Sequence, residues 1–494
     1  MRSHDFIHDL GASAPLDRAA ATPLFRQLYA RLKDAILHGQ LAPGARLPAT
    51  RELAQLLGVS RQTVLAAYDQ LTAEGYLRGG VGQGTFVDVA LPVARPEAPS
   101  AVPGLLRPLS GRGATMAAAM ARVRHHDGPL RAFRPSMPGL DLFPFDVWRK
   151  LEARHWRRRE LPLGYGAAAG HPRLRELLCA YLGASRGVRC TPEQIIVTTG
   201  SQQALYLLAQ LLLAPGDGVW LESPGYQGAA APFEVAGARM CLVPVDAEGM
   251  DVAYAAQHYP DARMVFATPS HQLPLGVTMS LARRLELLRW AEARRAWIIE
   301  DDYDSEYRYT GPPLASLQGL DRSGCVIYVG TLSKVLFPGL RLGYVVAPPG
   351  LVEPLSQARA VIDRHSAIMP QAVLADFIAQ GHFARHIRRT RDAYAERRGA
   401  MLEALASRLG GVLACGPSDA GLDLCVGVMN GLSEAQAVER ATAAGVEVRP
   451  LSYYTHPAAG PDCAMPPGLL LGFSAFTPEQ IRAGVARLAQ ALTA

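Results

Sequence analysis

The chain has 494 residues, of which 49% are hydrophobic and 19% charged, a balance typical of a folded globular protein and not of a disordered one. No run of about 18 apolar residues is present, and residues 1–20 carry three aspartates without a continuous apolar segment, so the sequence predicts no membrane span, no secretory signal and a cytoplasmic location. Seven cysteines, an odd number without a CxxC pair, predict neither a disulfide framework nor a metal site.

The net charge of +6 is concentrated in one part of the chain. Residues 1–90 hold 9 basic and 8 acidic side chains, whereas residues 91–160 hold 13 and 6. Such a basic segment is suited to following a phosphate backbone, but an arginine-rich linker in solvent has the same composition. The charge alone leaves these two alternatives open.

Residues 20–90 have the pattern of a small helical unit that ends in a β-hairpin. Apolar residues spaced as on one helix face follow Pro23 and stop before Gly39. Two further short helices meet at Gly58, which permits a sharp turn, and Ser60 is placed to cap the second of them. A run of glycines then separates short apolar segments, which is typical of a hairpin.

This region resembles the GntR family of bacterial transcription regulators, through LHGQLAPGARLPATRELAQLLGVSRQTVLAAYDQLTAEGYL and the later GQGTFV. The resemblance implies a winged helix-turn-helix that binds double-stranded DNA, with its second short helix in the major groove. Arg61 suits a guanine edge, Ser60 and Thr63 suit phosphates, and the hairpin glycines let the wing approach the minor groove. The implied DNA-binding residues are Arg51, Ser60, Arg61, Gln62, Thr63, Gly82 and Gly84.

Two zones follow, so the sequence predicts a multidomain α/β chain. Residues 91–125 are rich in Pro, Ala and Arg without an apolar period, which predicts a flexible basic linker. Residues 126–494 alternate apolar runs with amphipathic helical patterns, which predicts an α/β domain whose sheet is buried on both faces. The predicted strands of this domain are 195–199, 218–222, 264–268, 297–301 and 325–330.

Lysine is rare in this chain, where Lys33, Lys150 and Lys334 are the only lysines among 50 basic side chains. Arginine keeps its proton near neutral pH, whereas a lysine with a lowered pKa forms an imine with a carbonyl compound. Lys334 lies in YVGTLSKVLFPGLRLGY, after a predicted strand and before a turn, which is a position suited to a reactive group.

The Lys334 segment resembles the lysine motif of fold type I enzymes, the aspartate aminotransferase superfamily, in which the lysine holds pyridoxal 5′-phosphate (PLP) as an internal aldimine. The resemblance implies that a GSQQ turn at a helix start and Arg341 bind the phosphate, and that Asp301 pairs with the pyridine nitrogen. Tyr226 would stack on the ring, and Tyr165 would reach the phosphate held by the partner subunit. The implied cofactor residues are Ser201, Gln202, Tyr226, His271, Asp301, Tyr303, Thr331, Ser333, Lys334, Arg341 and Tyr165.

Head and large domain together resemble the MocR/GabR subfamily of GntR regulators over nearly the whole chain, and TPSHQLPLG and IEDDYDSEYRY resemble that subfamily in particular. The resemblance implies a head-to-tail homodimer that reads repeated DNA half-sites. It also implies that PLP, or a small amine or amino acid bound at the PLP site, changes the affinity for DNA.

Several positions depart from the aminotransferase pattern. Leu470 stands where those enzymes have an arginine for the substrate carboxylate, and a leucine cannot bind an anion. His271 replaces an asparagine, and Gly228 stands where the GABA-responsive member carries a ligand-binding arginine. Arg449 is the nearest arginine in sequence that would substitute as an effector ligand, although its position equally fits a surface strand residue.

Two alternatives to a PLP-dependent regulator therefore stay open. One is an aminotransferase that carries a DNA-binding head, against which the missing carboxylate arginine argues. The other is a large domain that only dimerises and holds no PLP.

Overall fold

The computed structural model describes residues 16–80, 84–88, 108–123, 128–157, 164–311, 314–417, 419–429 and 431–493. The chain divides into two compact units, Met1–Pro108 and Leu109–Ala494. No helix within these described ranges is long and apolar enough to cross a membrane.

The first unit is built from short helices and a small antiparallel sheet. Its helices are α1 (Leu24–Leu37), α2 (Thr50–Leu56) and α3 (Arg61–Ala73). Its strands, in the sheet order β1-β3-β2, are β1 (Arg46–Leu47), β2 (Leu77–Gly80) and β3 (Gly84–Val87). The core lies between α1 and α3, where Leu28, Leu32, Val64 and Leu71 are fully buried.

The turn between α2 and α3 forms as the sequence predicts. Gly58 adopts a φ of +61°, in the left-handed region that a side chain disfavours. Ser60 precedes α3, and its hydroxyl accepts a hydrogen bond from the Thr63 amide at 3.1 Å. This cap satisfies one of the amide groups left open at the start of a helix and fixes where α3 begins.

The second unit contains a large sheet with the strand order β4-β11-β10-β9-β8-β5-β6-β7. Within it β4, β5, β6, β8, β9 and β10 run in one direction, and β7 and β11 run antiparallel to their neighbours. These strands are β4 (Ile195–Thr198), β5 (Gly218–Ser223), β6 (Arg239–Asp246), β7 (Gly249–Met250), β8 (Met264–Ala267), β9 (Trp297–Asp302), β10 (Val326–Thr331) and β11 (Gly343–Val346). The five predicted strands are confirmed, each to within about one residue at either end.

Helices cover the sheet, and a smaller antiparallel sheet lies in the C-terminal part. The helices of this unit are α4 (Gly111–Ala119), α5 (Phe145–Arg157), α6 (Pro172–Arg186), α7 (Ser201–Leu212), α8 (Gln227–Val235), α9 (Val252–His258), α10 (Leu281–Arg294), α11 (Leu317–Leu320), α12 (Val352–Asp363), α13 (Ile368–Ala379), α14 (His382–Leu409), α15 (Glu434–Ala443) and α16 (Pro478–Thr493). The small sheet, in the order β12-β13-β15-β14, consists of β12 (Leu413–Cys415), β13 (Asp423–Val428), β14 (Arg449–Pro450) and β15 (Gly468–Gly472).

Part of the segment predicted as a flexible linker is helical instead. Helix α4 lies within residues 91–125, and the hydroxyl of Ser110 caps it by accepting a hydrogen bond from the Gly113 amide at 3.0 Å. Ala119 at its C-terminal end is buried against Ala231 and Val235 of α8. An alanine-rich sequence has a high helix propensity, and this contact supplies the burial that its weak apolar period did not reveal.

Candidate functional site

The first unit carries a set of polar side chains at the start of α3. Arg51, Arg61 and Gln62 are exposed, and the Arg61 Nε atom lies 3.3 Å from the Thr50 hydroxyl. The Ser60 hydroxyl lies 2.8 Å from that of Thr63, in addition to its capping bond. Ser60, Arg61, Gln62 and Thr63 therefore lie at the start of α3, where backbone amides and the helix dipole favour an anion such as phosphate, whereas Arg51 lies in the first turn of α2.

Glycine has a conformational role in the hairpin that follows α3. Gly84 begins β3 with a φ of +102°, and a Cβ atom at this position would lie 3.0 Å from Nε of Arg46. A side chain at this position would be strained both by the positive φ and by the close contact with Arg46. Gly82, the other predicted wing residue, lies outside the described residues.

In the second unit a cavity of about 450 Å³ opens at the carboxyl ends of the parallel strands. This is where open α/β sheets place their ligands. Nine of the residues predicted from the sequence line the cavity: Ser201, Tyr226, Asp301, Tyr303, Thr331, Ser333, Lys334, Arg341 and Arg449.

Lys334 lies just beyond the end of β10, and its Nζ atom donates a hydrogen bond to the Ser136 carbonyl at 2.7 Å. Burial lowers the pKa of this ammonium group, while the carboxylates of Asp423 and Asp304 act in the opposite direction. A lowered lysine pKa increases the neutral fraction, which is the form that attacks a carbonyl carbon.

Asp301 lies at the end of β9 and has a buried carboxyl group whose Oδ1 atom has no hydrogen-bond partner among the described residues. Burial, together with the nearby Asp302 and Glu222 carboxylates, raises its pKa to about 7. Leaving a buried acceptor unpaired costs about 1–3 kcal/mol. The site is therefore suited to a ligand that brings a hydrogen-bond donor to this oxygen.

Other residues of the cavity present groups that suit an oxyanion. Ser201 is the first residue of α7, and Gly200 before it has a φ of +116°. A Cβ atom on Gly200 would lie 3.3 Å from the guanidinium group of Arg341. The Thr331 hydroxyl accepts a hydrogen bond from the Ser333 amide at 3.2 Å. Helix amides, hydroxyls and a guanidinium group are together the donor set of a phosphate site.

Three predicted cofactor residues lie outside the cavity wall. Gln202 lies beside Tyr226, with its amide bonded to the Gly228 carbonyl at 2.8 Å and its carbonyl accepting from the Tyr226 hydroxyl at 3.3 Å. His271 lies behind Tyr303, 3.0 Å from its hydroxyl. Tyr165 is 82% exposed. Gln202 and His271 are thus placed to orient cavity residues and not to line the cavity.

The sequence interpretation missed Ser136 and Asp423. The Asp423 carboxylate accepts hydrogen bonds from the amide and hydroxyl of Ser136 at 2.7 and 3.0 Å, and so holds the carbonyl that Lys334 contacts. Ser136 has a φ of +61°, an uncommon conformation for a residue with a side chain. No sequence motif indicates this contact, because the two residues are 287 positions apart.

Two family models match the chain, one for each unit. Residues 24–87 match "Bacterial regulatory proteins, gntR family", and residues 137–488 match "Aminotransferase class I and II". The probable rhizopine catabolism regulatory protein MocR of Rhizobium meliloti is 42% identical over 97% of this chain and 96% of its own. The chain belongs to the MocR/GabR subfamily of GntR regulators.

Other similar proteins agree with this assignment. The pyridoxine biosynthesis transcriptional regulator PdxR of Corynebacterium glutamicum is 34% identical over 78% of this chain and 79% of its own. Among solved structures, the α-aminoadipate aminotransferase LysN of Thermus thermophilus is 30% identical, covers 77% of this chain and 94% of its own, and has a TM-score of 0.67. The head of this MocR/GabR-type chain is thus a GntR domain and its second unit has the aminotransferase fold.

One departure from the aminotransferase pattern, Leu470, lies in the small sheet of this MocR/GabR-type domain. Leu470 in β15 is buried against Cys425, Leu451 and Tyr454. Its register partner on the neighbouring strand is Arg449. Arg449 lines the Lys334 cavity, with its guanidinium carbon 4.5 Å from the centre of the Tyr453 ring. A cationic side chain therefore reaches the cavity from the strand next to that of Leu470.

Gly228 is explained by its contact with Tyr226. A Cβ atom at position 228 would lie only 2.4 Å from the Tyr226 ring. An arginine at this position would therefore require the Tyr226 ring to move. The observed orientation of Tyr226 thus depends on the glycine at position 228.

Asp301 also gives the PLP-free protein a predicted pH dependence. Its pKa is about 7 in the fold and about 3.9 in an unfolded chain. Between these values the unfolded chain has lost a proton that the folded chain keeps, so stability falls as the pH rises, by up to about 1.4 kcal/mol per pH unit. We expect the substitution Asp301→Asn to remove the contribution of this residue to the change of stability with pH. Thermal unfolding at several pH values measures this change. The exposed Asp392→Asn on α14 is the control, and an unchanged slope in Asp301→Asn would contradict the assignment.

Proposed function

We propose that this protein is a PLP-dependent transcription regulator, in which a small amine or amino acid at the Lys334 cavity changes the affinity of the head for DNA. The observation that carries the proposal is Lys334 itself, a lysine of lowered pKa within a cavity that is also lined by Asp301, whose Oδ1 atom is unpaired, and by phosphate-type donors. A GntR domain on the same chain supplies the DNA-binding partner of this site.

The residues of the cavity fit PLP. The unpaired Oδ1 of Asp301 would accept a hydrogen bond from the pyridinium nitrogen, and Ser201, Thr331, Ser333 and Arg341 would hold the phosphate. When bound, PLP supplies an electrophilic carbonyl carbon that reacts reversibly with primary amines. A regulator that senses an amine needs this reversibility and does not need turnover.

The side chains around Lys334 have distinct roles in this proposal. Burial raises the pKa of Tyr226 to about 12, so its ring remains neutral and can stack on the cofactor. Tyr303 is held against His271, which fixes the direction of its hydroxyl. Arg449 would bind the anionic group of an amino-acid effector, a role that Leu470 cannot fill.

For the head, the proposal assigns base contact to Arg61 and Gln62 and backbone contact to Arg51, Ser60 and Thr63. The Tyr165 side chain is 82% exposed, and tyrosine is enriched at protein interfaces, which supports a role toward a second subunit. We therefore propose a head-to-tail homodimer that reads repeated half-sites on the genome, in the cytoplasm.

The role of Arg449 is tested by the variant Arg449→Leu. We expect binding of amino acids to weaken by about 10- to 100-fold, because a hydrogen bond to a charged group contributes about 1.5–3 kcal/mol. Amines that lack the carboxylate should bind as before. Spectral titration of PLP-loaded protein with an amino acid and its decarboxylated amine measures both effects.

The exposed Arg131→Leu, outside the Lys334 cavity, controls for the loss of one positive charge. Equal weakening for both kinds of ligand, or none for either, would show that Arg449 does not bind the carboxylate.

The intact lysine, aspartate and phosphate-type groups also favour a second candidate function, an aminotransferase that carries a DNA-binding head. The two functions separate in a single-turnover assay. Rapid conversion of the PLP-loaded protein to the pyridoxamine form by one amino acid would favour the enzyme, whereas reversible spectral change without conversion would favour the regulator.

A further inference from the structure

A second cavity, of about 490 Å³, lies in the same unit behind the Lys334 cavity. Its wall is formed by the end of α6, the first turns of α14 and the segment after β9. It does not share a lining residue with the Lys334 cavity among the described residues. Neither the DNA-binding role nor the proposed PLP site uses it.

The charged residues that line this second cavity are all basic. Arg186, Arg308, Arg388 and Arg391 line it, and no described lining residue is acidic. Arg186 is neutralised from behind by Asp302 and Glu306, with nitrogen–oxygen distances of 3.2 and 3.3 Å.

Arg308 and Arg391 bond only to neutral groups in the described structure. Arg308 donates to the Thr278 hydroxyl at 3.1 Å and to the Thr310 carbonyl at 3.3 Å, and Arg391 donates to the Glu306 carbonyl at 2.8 Å. Arg388 is exposed on α14. Guanidinium groups that have no carboxylate partner and converge on one cavity suit a multiply charged oxyanion.

A buried hydroxyl at this cavity has an unused hydrogen-bonding capacity. The Ser305 Oγ atom is enclosed and has no hydrogen-bond partner among the described residues. A buried hydroxyl without a partner costs free energy. An anion in the cavity would accept this hydrogen bond together with those of the arginines.

One hydrogen bond separates this cavity from the Lys334 cavity. His271 lines the second cavity and lies 3.0 Å from the hydroxyl of Tyr303, which lines the first. The Asp304 carboxylate lies 2.9 Å from the same imidazole nitrogen. Burial alone would lower the pKa of His271, but Asp304 outweighs it and the pKa is raised. An anion beside this imidazole therefore alters the electrostatic environment of Tyr303.

We propose that the second cavity binds a small phosphate-bearing anion, and that this anion changes the properties of the Lys334 site through His271 and Tyr303. Binding at the second cavity is independent of the proposed function, whereas its effect on the Lys334 site rests on PLP being bound there. Two sites joined by a differential interaction are the requirement for allosteric coupling.

The test uses the full-length protein loaded with PLP, so that the first phosphate site is filled. Inorganic phosphate is titrated at constant ionic strength, with chloride as the balancing anion, while thermal unfolding and the visible absorption of PLP are followed. We expect a saturable rise in the unfolding midpoint and a spectral change with the same dissociation constant. Arg388→Gln should raise that constant by about tenfold or more, because it removes a charged hydrogen-bond donor.

Ser305→Ala and Arg308→Gln should also weaken phosphate binding. Arg385→Gln, one turn earlier on α14 and outside the cavity lining, should leave it unchanged. A non-saturating response that is equal in all variants would overturn the proposal, as would displacement of phosphate by duplex DNA of arbitrary sequence.

The two proposals fail separately in this experiment. If PLP gives no visible band, the Lys334 proposal fails, and weaker stabilisation by phosphate in Arg388→Gln than in the wild type still reports the second site. If the band is present and phosphate produces no saturable effect, the second site alone is refuted. Saturable binding without a spectral change would refute the coupling through His271.

Discussion

Lys334→Ala is expected to abolish the absorption band of PLP bound covalently to the protein, because alanine has no amine to hold the cofactor covalently. The response of DNA binding to PLP or to an amine effector should disappear with it. Binding to DNA in the absence of effector should remain, since the head folds around its own core of Leu28, Leu32, Val64 and Leu71. Absorption spectra and an electrophoretic or fluorescence DNA-binding assay measure the two effects on one preparation.

Lys150→Ala is the matched control, since Lys150 is an exposed lysine on α5. It should keep both the absorption band and the effector response. A band of covalently bound PLP that persists in Lys334→Ala would mean that another amine holds PLP, and an effector response that persists without the band would separate regulation from the covalent linkage at Lys334.

Arg61→Ala is expected to remove specific DNA binding while leaving the PLP band intact. A bidentate contact between arginine and guanine contributes about 1–3 kcal/mol of discrimination, which corresponds to about 5- to 150-fold in the ratio of operator to non-operator affinity. Arg61 is exposed and its side chain lies 3.3 Å from the Thr50 hydroxyl, so the loss of folding stability should be small.

Arg26→Ala, on the exposed face of α1, controls for the loss of one positive charge. Any loss of affinity in this variant should be equal for operator and non-operator DNA, because a phosphate contact carries no sequence information. An Arg61→Ala protein with an unchanged specificity ratio would exclude base contact by this residue.

Much of the architecture was predictable because its determinants are local in sequence. The apolar runs that form β4, β5, β8, β9 and β10 end close to where the pattern places them. Gly58 and Ser60 specify the turn into α3 through a positive φ and a side-chain cap. The cavity residues were named through the resemblance to the aminotransferase motifs, and the cavity that they line opens where parallel strands bring their carboxyl ends to one edge of the sheet.

The contacts that the sequence did not reveal depend on how separate segments of the chain align in the fold. Arg449 was assigned by sequence proximity alone, and its pairing with Leu470 follows from the alignment of β14 with β15. Ser136 and Asp423 meet across 287 residues, and neither lies in a recognised motif. His271 was predicted to contact the cofactor, yet the fold places it behind Tyr303 against Asp304. Short-range patterns carry no information on such distances.

The central claim is that occupation of the Lys334 cavity controls DNA binding by the head. Binding sites of the purified protein are first mapped on genomic DNA of its own organism, and the dissociation constant for the strongest site is then measured with and without PLP and a panel of amines. We expect at least one of these ligands to change the constant by about 5- to 150-fold in the wild type, which is the usual range of allosteric coupling, and to have no effect in Lys334→Ala. Equal dissociation constants with and without every ligand in the wild type, or the same change in Lys334→Ala, would contradict the account.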